Sequence, residues 1–343
     1  MIEASNLHKI FGSFHAVCDI SLQIAPGEVV ALLGPNGAGK TTTVRMLSAI
    51  LKPSSGQARI AGYDVVEQAR EVRHIVGLLT EFPGLYNRMP PLEYLQFFGT
   101  LQGMDTASCR SRSEALLRQF GLWDARSKRL DSFSKGMKQK IALIRALIHD
   151  PPVLFLDEPT TAMDPHSART VRDTIAELRA ARRTILLTTH NLTEAEALAD
   201  RIAIVRGGRI VAEGTIAQLT RQLMGDPLWE LRLGARAAGV ALLLDDLARI
   251  EAVGEDWVRY RCADPRYINP QIVARLAERH LPVIALAELP RRLEEVYLSI
   301  VADEQVERGV WSADAGDQGA GARSQEPETR PPTADPQEEE LRR

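Results

Sequence analysis

The fold is decided by Gly34-Pro35-Asn36-Gly37-Ala38-Gly39-Lys40-Thr41, a stretch that matches the pattern GxxxxGK[ST] at every fixed position. An apolar run at residues 29–33 comes directly before it and predicts a buried strand, and residues 42–51 predict a helix after it. Glycines let backbone N–H groups turn towards phosphate oxygens, and the helix adds the positive end of its dipole. A glycine-rich turn could match by chance, but this strand–loop–helix order is what phosphate binding requires. The stretch therefore predicts a nucleotide site, with Lys40 reaching the β- and γ-phosphates and Thr41 ligating Mg²⁺.

Composition limits the classes of protein to consider. The chain has 343 residues, 45% hydrophobic and 25% charged, which is ordinary for a soluble protein with one large and one smaller domain. A net charge of -3 argues against a protein that works mainly by wrapping nucleic acid. Three scattered cysteines indicate neither a disulfide framework nor a zinc knuckle and fit a reducing cytoplasm. No secretory signal and no apolar run near the ~20 residues of a membrane span are evident, so we expect any membrane role to come through a partner.

Two further strand ends carry polar residues. Asp157 and Glu158 follow an apolar run at residues 153–156, and His190 comes after a further strand predicted at residues 184–188. Asp157 is suited to hold Mg²⁺, Glu158 to orient or deprotonate the attacking water, and His190 to contact the γ-phosphate. Taken alone, paired acids are often a helix cap and a single histidine is more often structural. Open α/β sheets bind ligands at the carboxyl ends of their strands, so three such ends in order favour one site.

Strands that alternate with helices predict an α/β core with a largely parallel sheet. Helical periodicity without strand signals predicts a helical insert at about residues 85–150. The other predicted elements of this core are strands at residues 2–8, 17–24 and 57–60 in a small antiparallel sheet, a helix at 165–182, and a hairpin of 202–205 with 209–212 around Gly207-Gly208.

A boundary is predicted near Gly225-Asp226-Pro227, so that residues 1–222 form the nucleotide-binding domain. Residues 228–302 predict a compact α+β accessory domain, with strands and helices alternating at 229–233, 237–248, 257–262, 270–279, 282–287 and 291–300. From about residue 303 the composition shifts to Gly, Pro, Gln, Ser and acidic residues, which predicts a disordered tail at 303–343 that serves as a solvated linker.

The segment Phe133-Ser134-Lys135-Gly136-Met137-Lys138-Gln139 lies in the helical insert ahead of Asp157. With it, the chain resembles the ATP-binding subunits of ABC transporters over about residues 1–220. The resemblance implies a P-loop NTPase (RecA-like) core with an antiparallel β-subdomain and a helical insert. It also implies that Ser134 and the Gly136 backbone cap the γ-phosphate of ATP held by a second subunit. A Ser-x-Gly at a helix start is otherwise an ordinary N-cap.

The resemblance assigns further residues one by one. Phe11 is expected to stack on adenine with Val17 beside it, and Thr161-Ala162-Met163-Asp164 occupies the D-loop position, with Asp164 as its acid. The implied nucleotide contacts of the loop are Gly34, Pro35, Asn36, Gly37, Ala38, Gly39, Lys40, Thr41 and Thr42. Glu81 stands where the family carries its Q-loop glutamine, and a carboxylate there is still able to ligate Mg²⁺.

Lys135 and Met137 depart from the family's usual signature, and this version resembles the branch that exports drugs, antibiotics or sodium through a separate permease. Residues 228–302, which close with a Leu-Glu-Glu-Val-Tyr-Leu segment, also look like the small C-terminal domain of that branch. The resemblance implies an ATPase that uses Glu158 and His190 and needs ATP and Mg²⁺. It further implies a homodimer or heterodimer, bound through an integral membrane permease to the cytoplasmic face of the cell membrane. No nucleic acid is expected as a partner.

Leu85 and Tyr86 are candidate permease contacts, although local packing of their loop explains them equally well. One alternative is a soluble ABC-type ATPase that acts on ribosomes or DNA. The single phosphate loop and the lack of a long coiled-coil insertion argue against it. Another alternative is a non-catalytic regulatory module, which would require the loss of Glu158 or His190, and both are present.

Overall fold

The computed structural model describes residues 1–82, 84–161, 163–237 and 239–289, together with residues 294 and 297. Within them, ten strands form one mixed sheet. These are β1 (Ile2–Phe11), β2 (Phe14–Ile24), β3 (Val29–Leu33), β4 (Ser55–Ile60), β5 (Tyr63–Asp64), β6 (Val76–Leu79), β7 (Val153–Asp157), β8 (Thr184–Thr189), β9 (Arg201–Arg206) and β10 (Arg209–Gly214). Their order across the sheet is β5-β4-β1-β2-β10-β9-β3-β8-β7-β6.

The centre of this sheet is parallel, as the alternation of strands and helices predicts. Strand β3 pairs in parallel with β8 and β9, and β7 pairs in parallel with β8 and β6. Strands β1, β2, β4 and β5 pair antiparallel, and β2 joins them to the centre through a parallel contact with β10. Because β3, β8 and β7 are neighbours, their carboxyl ends lie at one edge, where the sequence predicts the nucleotide site.

Helices cover both faces of the sheet's centre. They are α1 (Lys40–Leu47), α2 (Ala69–Ile75), α3 (Pro91–Leu101), α4 (Thr106–Gln119), α5 (Lys135–Leu147), α6 (Pro165–Ala180), α7 (Leu192–Leu198) and α8 (Ile216–Met224). Val29, Ala31 and Leu33 pack into one apolar cluster with residues of α3 to α6, while Val30 and Leu32 pack into another with residues of α1 and β2. Burial on both faces explains why β3 is a continuous apolar run.

The helical insert is confirmed as α3, α4 and α5, and the hairpin around Gly207-Gly208 is confirmed as β9 and β10. Helix α1 differs from its prediction, since it begins at Lys40 and ends at Leu47 rather than at residue 51. None of the described helices is long and apolar enough to cross a bilayer.

Residues 228–289 form a second, four-stranded antiparallel sheet with a separate apolar cluster. Its elements are β11 (Leu228–Leu233), α9 (Val240–Leu244), β12 (Arg249–Val253), β13 (Trp257–Arg261), α10 (Pro265–Glu278) and β14 (Val283–Glu288). Three predictions were wrong here. The helix predicted at 237–248 is shortened to α9, and the strand β12 was not predicted. The helix predicted to begin at residue 270 begins instead at Pro265, so that Pro270 lies inside α10. It begins there because the Asp264 side chain caps it, accepting hydrogen bonds from the N–H groups of Arg266 and Tyr267.

Most of the helix predicted at 291–300 and the whole of the tail predicted at 303–343 lie outside the described residues. Only Glu294 and Tyr297 of that helix are described, and both are helical. The predicted boundary between the two folding units near residue 225 stays a prediction.

Candidate functional site

The phosphate loop owes its glycines to close backbone contacts. A Cβ atom at position 34 would lie 2.3 Å from the carbonyl oxygen of Val205, so the loop leaves β3 only with glycine there. Gly39 has φ +100, and a Cβ atom there would lie 2.5 Å from the carbonyl oxygen of Ala16. At Gly34 the close carbonyl oxygen alone excludes a side chain, whereas at Gly39 the positive φ, which L-residues disfavour, adds to the close contact.

Lys40 begins α1 and turns back over its own loop. Its ammonium donates hydrogen bonds to the carbonyl oxygens of Gly34 at 2.6 Å and Pro35 at 3.0 Å, and lies 3.6 Å from Glu158 Oε1. The side chain is almost fully buried, and burial lowers the pKa of Lys40, whereas the nearby carboxylates of Glu158 and Asp157 raise it. A buried ammonium in this position is placed to bind a more negative group, such as a phosphate.

Asp157 ends β7 and joins two neighbouring segments. Its Oδ1 accepts a hydrogen bond from the Thr41 hydroxyl at 3.0 Å and another from the Thr188 hydroxyl at 2.7 Å. Thr188 lies opposite Asp157 in the register of β7 and β8. The carboxylate is therefore fixed beside the first turn of α1, where the sequence predicts a Mg²⁺ ligand.

Glu158 is held by one oxygen and one backbone group. Its Oε2 accepts a hydrogen bond from the Thr161 hydroxyl at 2.9 Å and lies 2.9 Å from His190 Nδ1. Its backbone N–H donates to the Thr188 hydroxyl at 3.0 Å, and its φ of +50 is in the left-handed region. The other oxygen, Oε1, is buried and accepts no hydrogen bond from the described residues. That oxygen faces the Lys40 ammonium and keeps its capacity to accept a hydrogen bond beside the phosphate loop.

A cavity of about 380 Å³ opens over the loop. It is lined by Phe14, Ala16, Asn36, Gly37, Ala38, Gly39, Lys40, Thr41, Thr42, Glu81 and Glu158. Glu81 therefore shares one cavity with the loop and with Glu158, as its position in the sequence predicts. Gly34 and Pro35 form the base of the loop through their hydrogen bonds to Lys40.

The aromatic residue at this cavity is not the one that the resemblance implies. Phe14 lines the cavity, whereas Phe11, which pairs with Phe14 across the hairpin of β1 and β2, is not among the lining residues. Phe11 lies on the surface under the ammonium of Lys9, which is 5.1 Å from the ring centre. Val17 is fully buried and contributes to the core. Adenine stacking by Phe11 stays a prediction, and Phe14 is a second candidate that the sequence did not single out.

The remaining predicted residues form a second group. Ser134 caps α5 by accepting a hydrogen bond from the N–H of Met137, and Asp164 caps α6 by accepting one from the N–H of Ser167. A Cβ atom on Gly136 would lie 3.4 Å from Asp164 Oδ2, so these two helix starts are adjacent. None of the three lines the cavity with Lys40. Ala162, between Thr161 and Asp164, lies outside the described residues.

The donor atoms at the cavity fit a hard cation better than a transition metal. The described residues include no group of three or more His, Cys, Asp or Glu side chains arranged to hold a metal ion. The Thr41 hydroxyl and the Asp157 carboxylate are oxygen ligands next to the phosphate loop, and Glu81 offers a third. Mg²⁺ takes few protein oxygens and completes its shell with phosphate oxygens and water, so this set suits it.

Threonine hydroxyls are the site residues that sequence reasoning missed. Thr161 and Thr188 contact Glu158, and Thr160 and Thr189 contact a buried glutamate, Glu194. Two threonines at the end of an otherwise apolar strand, 188 and 189, were a usable signal, because buried hydroxyls need hydrogen-bond partners.

Comparison with known proteins adds independent findings. The profile of the family described as "ABC transporter" matches residues 17–161. The chain is 37% identical over 317 residues to the daunorubicin/doxorubicin resistance ATP-binding protein DrrA of Streptomyces peucetius. That alignment covers 91% of this chain and 96% of the relative. It is 36% identical over 307 residues to the Nod factor export ATP-binding protein I of Paraburkholderia xenovorans, and the alignment covers 88% of this chain and 97% of that relative. A solved structure of the ATP-binding subunit of an ABC transporter is 32% identical, has a TM-score of 0.62, and covers 66% of this chain and 94% of its own.

Proposed function

Because this chain belongs to the family of ABC transporter ATP-binding subunits and is therefore an ATPase, we propose that it hydrolyses ATP with Glu158 as general base, held by His190. The observation that carries the proposal is the pair of Glu158 oxygens. One is fixed by Thr161 and His190, while the other is buried, accepts no hydrogen bond from the described residues, and lies 3.6 Å from the Lys40 ammonium. A base must be within hydrogen-bond reach of the proton it takes, and an oriented free oxygen at the phosphate loop meets that condition.

The residues of the phosphate loop bind and orient the triphosphate. Backbone N–H groups of residues 36–41 surround the phosphates, and the Lys40 ammonium moves from its loop carbonyls to the more negative phosphate oxygens. Thr41 and Asp157, with Glu81, would hold Mg²⁺, which when bound supplies positive charge that stabilises the transferring phosphoryl group. Glu158 Oε1 then takes a proton from the attacking water, and His190 keeps the carboxylate in place.

A second copy of such a subunit completes the site. Ser134, Gly136 and Asp164 are grouped at the starts of α5 and α6 but do not line the cavity with Lys40. We propose that this group closes over the phosphates bound by another chain, in a homodimer or heterodimer. A helix start with free N–H groups is suited to an anionic ligand.

We also propose that a separate integral membrane permease holds the dimer at the cytoplasmic face of the cell membrane. Two relatives of nearly the same length, named for drug resistance and for Nod factor export, support transport, and export in particular. Phe82 is 77% exposed, and Tyr86 is half exposed while its ring contacts Phe97 and Phe98. Phe82, next to Glu81 in the chain, and the neighbouring rings of Tyr86 and Phe97 are exposed apolar side chains, which suit contact with a helix of the permease. Leu85 is partly buried against the core, which favours local packing for that residue.

The test is Glu158→Gln, which keeps the shape of the side chain and removes the base. We expect kcat for ATP hydrolysis to fall by about 10²–10⁴, while the Kd for ATP changes by less than about threefold. Phosphate release and fluorescence titration with an ATP analogue measure the two quantities. Glu278→Gln, an exposed change on α10, is the matched control. Hydrolysis by the Glu158 variant at near wild-type rate would rule out the assignment.

A further inference from the structure

Glu194 is a buried carboxylate with no cationic partner among the described residues. It lies in the first turn of α7, and only 7% of the residue is exposed. Its Oε1 accepts a short hydrogen bond from the Thr160 hydroxyl, and its Oε2 accepts one from the Thr189 hydroxyl at 2.7 Å. In the parts of the chain that the structure describes, no ion pair involves Glu194. Burying a charge is costly unless hydrogen bonds compensate it, so both of these bonds are needed.

The two threonines lie on the segments that carry the proposed reacting groups. Thr160 follows Glu158 by two residues and is next to Thr161, whose hydroxyl donates to Glu158 Oε2. Thr189 ends β8 and directly precedes His190, whose Nδ1 lies 2.9 Å from the same oxygen. The Glu194 carboxylate therefore links the turn after β7 to the end of β8, the two segments that carry Glu158 and His190.

The direction of these hydrogen bonds is settled at Thr189. Its oxygen accepts a hydrogen bond from the N–H of Asn191 at 3.0 Å, so its only proton is free to go to Glu194. Asn191 also caps α7 by accepting a hydrogen bond from the N–H of Glu194 at 3.2 Å. Because it has two acceptor oxygens, the Glu194 side chain receives one hydroxyl from each segment at once.

We infer that Glu194 is a positioning residue for ATP hydrolysis. Its carboxylate connects the segment of Thr160 to the segment of Thr189 and so keeps His190 against Glu158. The inference rests on the proposed function, because it assumes that Glu158 and His190 act on the attacking water. An ordinary structural role is the competing explanation, since an acid in the first turn of a helix also stabilises the helix. The two roles differ in what they change. Positioning alters turnover in the folded protein, whereas helix stabilisation alters only the folded fraction.

The test compares Glu194→Ala with Glu194→Gln in the full chain. Alanine removes both links, so we expect kcat to fall about 10- to 100-fold with KM for ATP within about threefold, as for a small displacement of a reacting group. Glutamine accepts one hydroxyl through its oxygen and donates to the other threonine oxygen, so the Glu194→Gln chain should keep kcat within about fivefold of wild type.

Glu196→Ala, on the same helix, is the control that should leave turnover unchanged, and Thr174→Ala is a control for the loss of a buried hydroxyl on α6.

A double-mutant cycle with His190→Ala separates positioning from stability. If Glu194 acts through the contact between His190 and Glu158, the loss of kcat caused by His190→Ala is smaller in the Glu194→Ala chain than in wild type, so the two losses do not multiply.

If Glu194→Ala does not fold, Thr160→Val and Thr189→Val each remove one hydrogen bond to Glu194 and should each lower kcat. Wild-type kcat in the folded variants, or losses that multiply independently, would overturn the inference. If Glu158→Gln abolishes turnover while folded Glu194→Ala keeps wild-type kcat, only this inference fails; if Glu158→Gln hydrolyses ATP at near wild-type rate, the proposed function fails.

Discussion

Glu81 places a carboxylate in a cavity that already contains Glu158, with Asp157 beside it. It also helps to raise the pKa of Lys40 against the effect of burial, after the larger effects of Glu158 and Asp157. A negative group at this position is favourable for a bound cation and unfavourable for phosphates that have no cation. We therefore expect Glu81 to make ATP binding and Mg²⁺ binding more dependent on each other than an amide would.

We expect Glu81→Gln to raise the Mg²⁺ concentration needed for half-maximal ATP hydrolysis by about fivefold, equivalent to ~1 kcal/mol. In EDTA the same change should strengthen ATP binding, because it removes charge repulsion. A Mg²⁺ titration of phosphate release and an ATP titration in EDTA measure the two effects, with Glu71→Gln on α2 as an exposed control. An unchanged Mg²⁺ midpoint would show that Glu81 does not act on the cation.

Which residue types occupy the site could be predicted, because a phosphate loop and strand-end acids have fixed spacings. Which aromatic ring faces the cavity could not. Phe11 and Phe14 lie opposite each other at one hairpin turn and share a face of the sheet, so the sequence pattern does not distinguish which ring lines the cavity. The link from Glu194 to two threonines was also hidden, since Thr160 and Glu194 are 34 residues apart and meet only after the sheet has formed.

Helix ends were the least predictable elements. Residues 42–51 suggested a helix to Leu51, but α1 ends at Leu47 because Ala49 adopts φ 55 and the N–H groups of Ile50 and Leu51 bond back to the carbonyl of Arg45. Such left-handed helix ends usually carry glycine or asparagine, and alanine gives no warning. In the second sheet, β12 was missed because its alternation, Arg249 to Val253, includes exposed charges and few large apolar residues.

Helix α4 offers a test of capping at the level of an element. Asp105 accepts hydrogen bonds at its start, and those from the side chain and N–H of Ser108 hold the pKa of Asp105 below its usual value. A depressed folded pKa means that this stabilisation is complete above the unfolded pKa and is lost as the pH falls through the folded pKa. Asp105→Ala should therefore lower Tm at pH 7, and the difference from wild type should shrink in acid.

Thermal unfolding followed by circular dichroism at several pH values measures this difference. Asp124→Ala, at an exposed position in the short turn after α4, is the control. A difference in Tm that is the same at pH 7 and at pH 3 would contradict the capping explanation.

At the scale of the whole molecule, one chain carries two separate sets of predicted site residues. Lys40, Thr41 and Glu158 line the cavity, while Ser134, Gly136 and Asp164 lie at two other helix starts. The order of the strands could be anticipated, since parallel strands of an α/β sheet bring their carboxyl ends together and the motifs follow those ends. The separation of the two sets depends on the packing of α3, α4 and α5 on the sheet, which periodicity does not specify.

This separation predicts complementation between defective chains. Lys40→Ala and Ser134→Arg chains should each be inactive alone, but an equal mixture should recover about a quarter of wild-type ATPase activity, because half of the random dimers have one intact site. Phosphate release after mixing and re-equilibration measures the recovery. The matched control mixes Lys40→Ala with Asp157→Ala, whose defects lie in the same set, and should stay inactive. Equal recovery in both mixtures, or in neither, would argue against sites shared between two chains.

The positive φ of Glu158 has a consequence for the history of this sequence. A non-glycine residue in that conformation costs about 1 kcal/mol or more, and its neighbours must hold it there. Glycine at position 158 would relieve this strain but would also remove the carboxylate that faces Lys40, Thr161 and His190. We expect such a chain to bind ATP without cleaving it, so the backbone strain at this one residue is a cost that ATP hydrolysis requires the fold to bear.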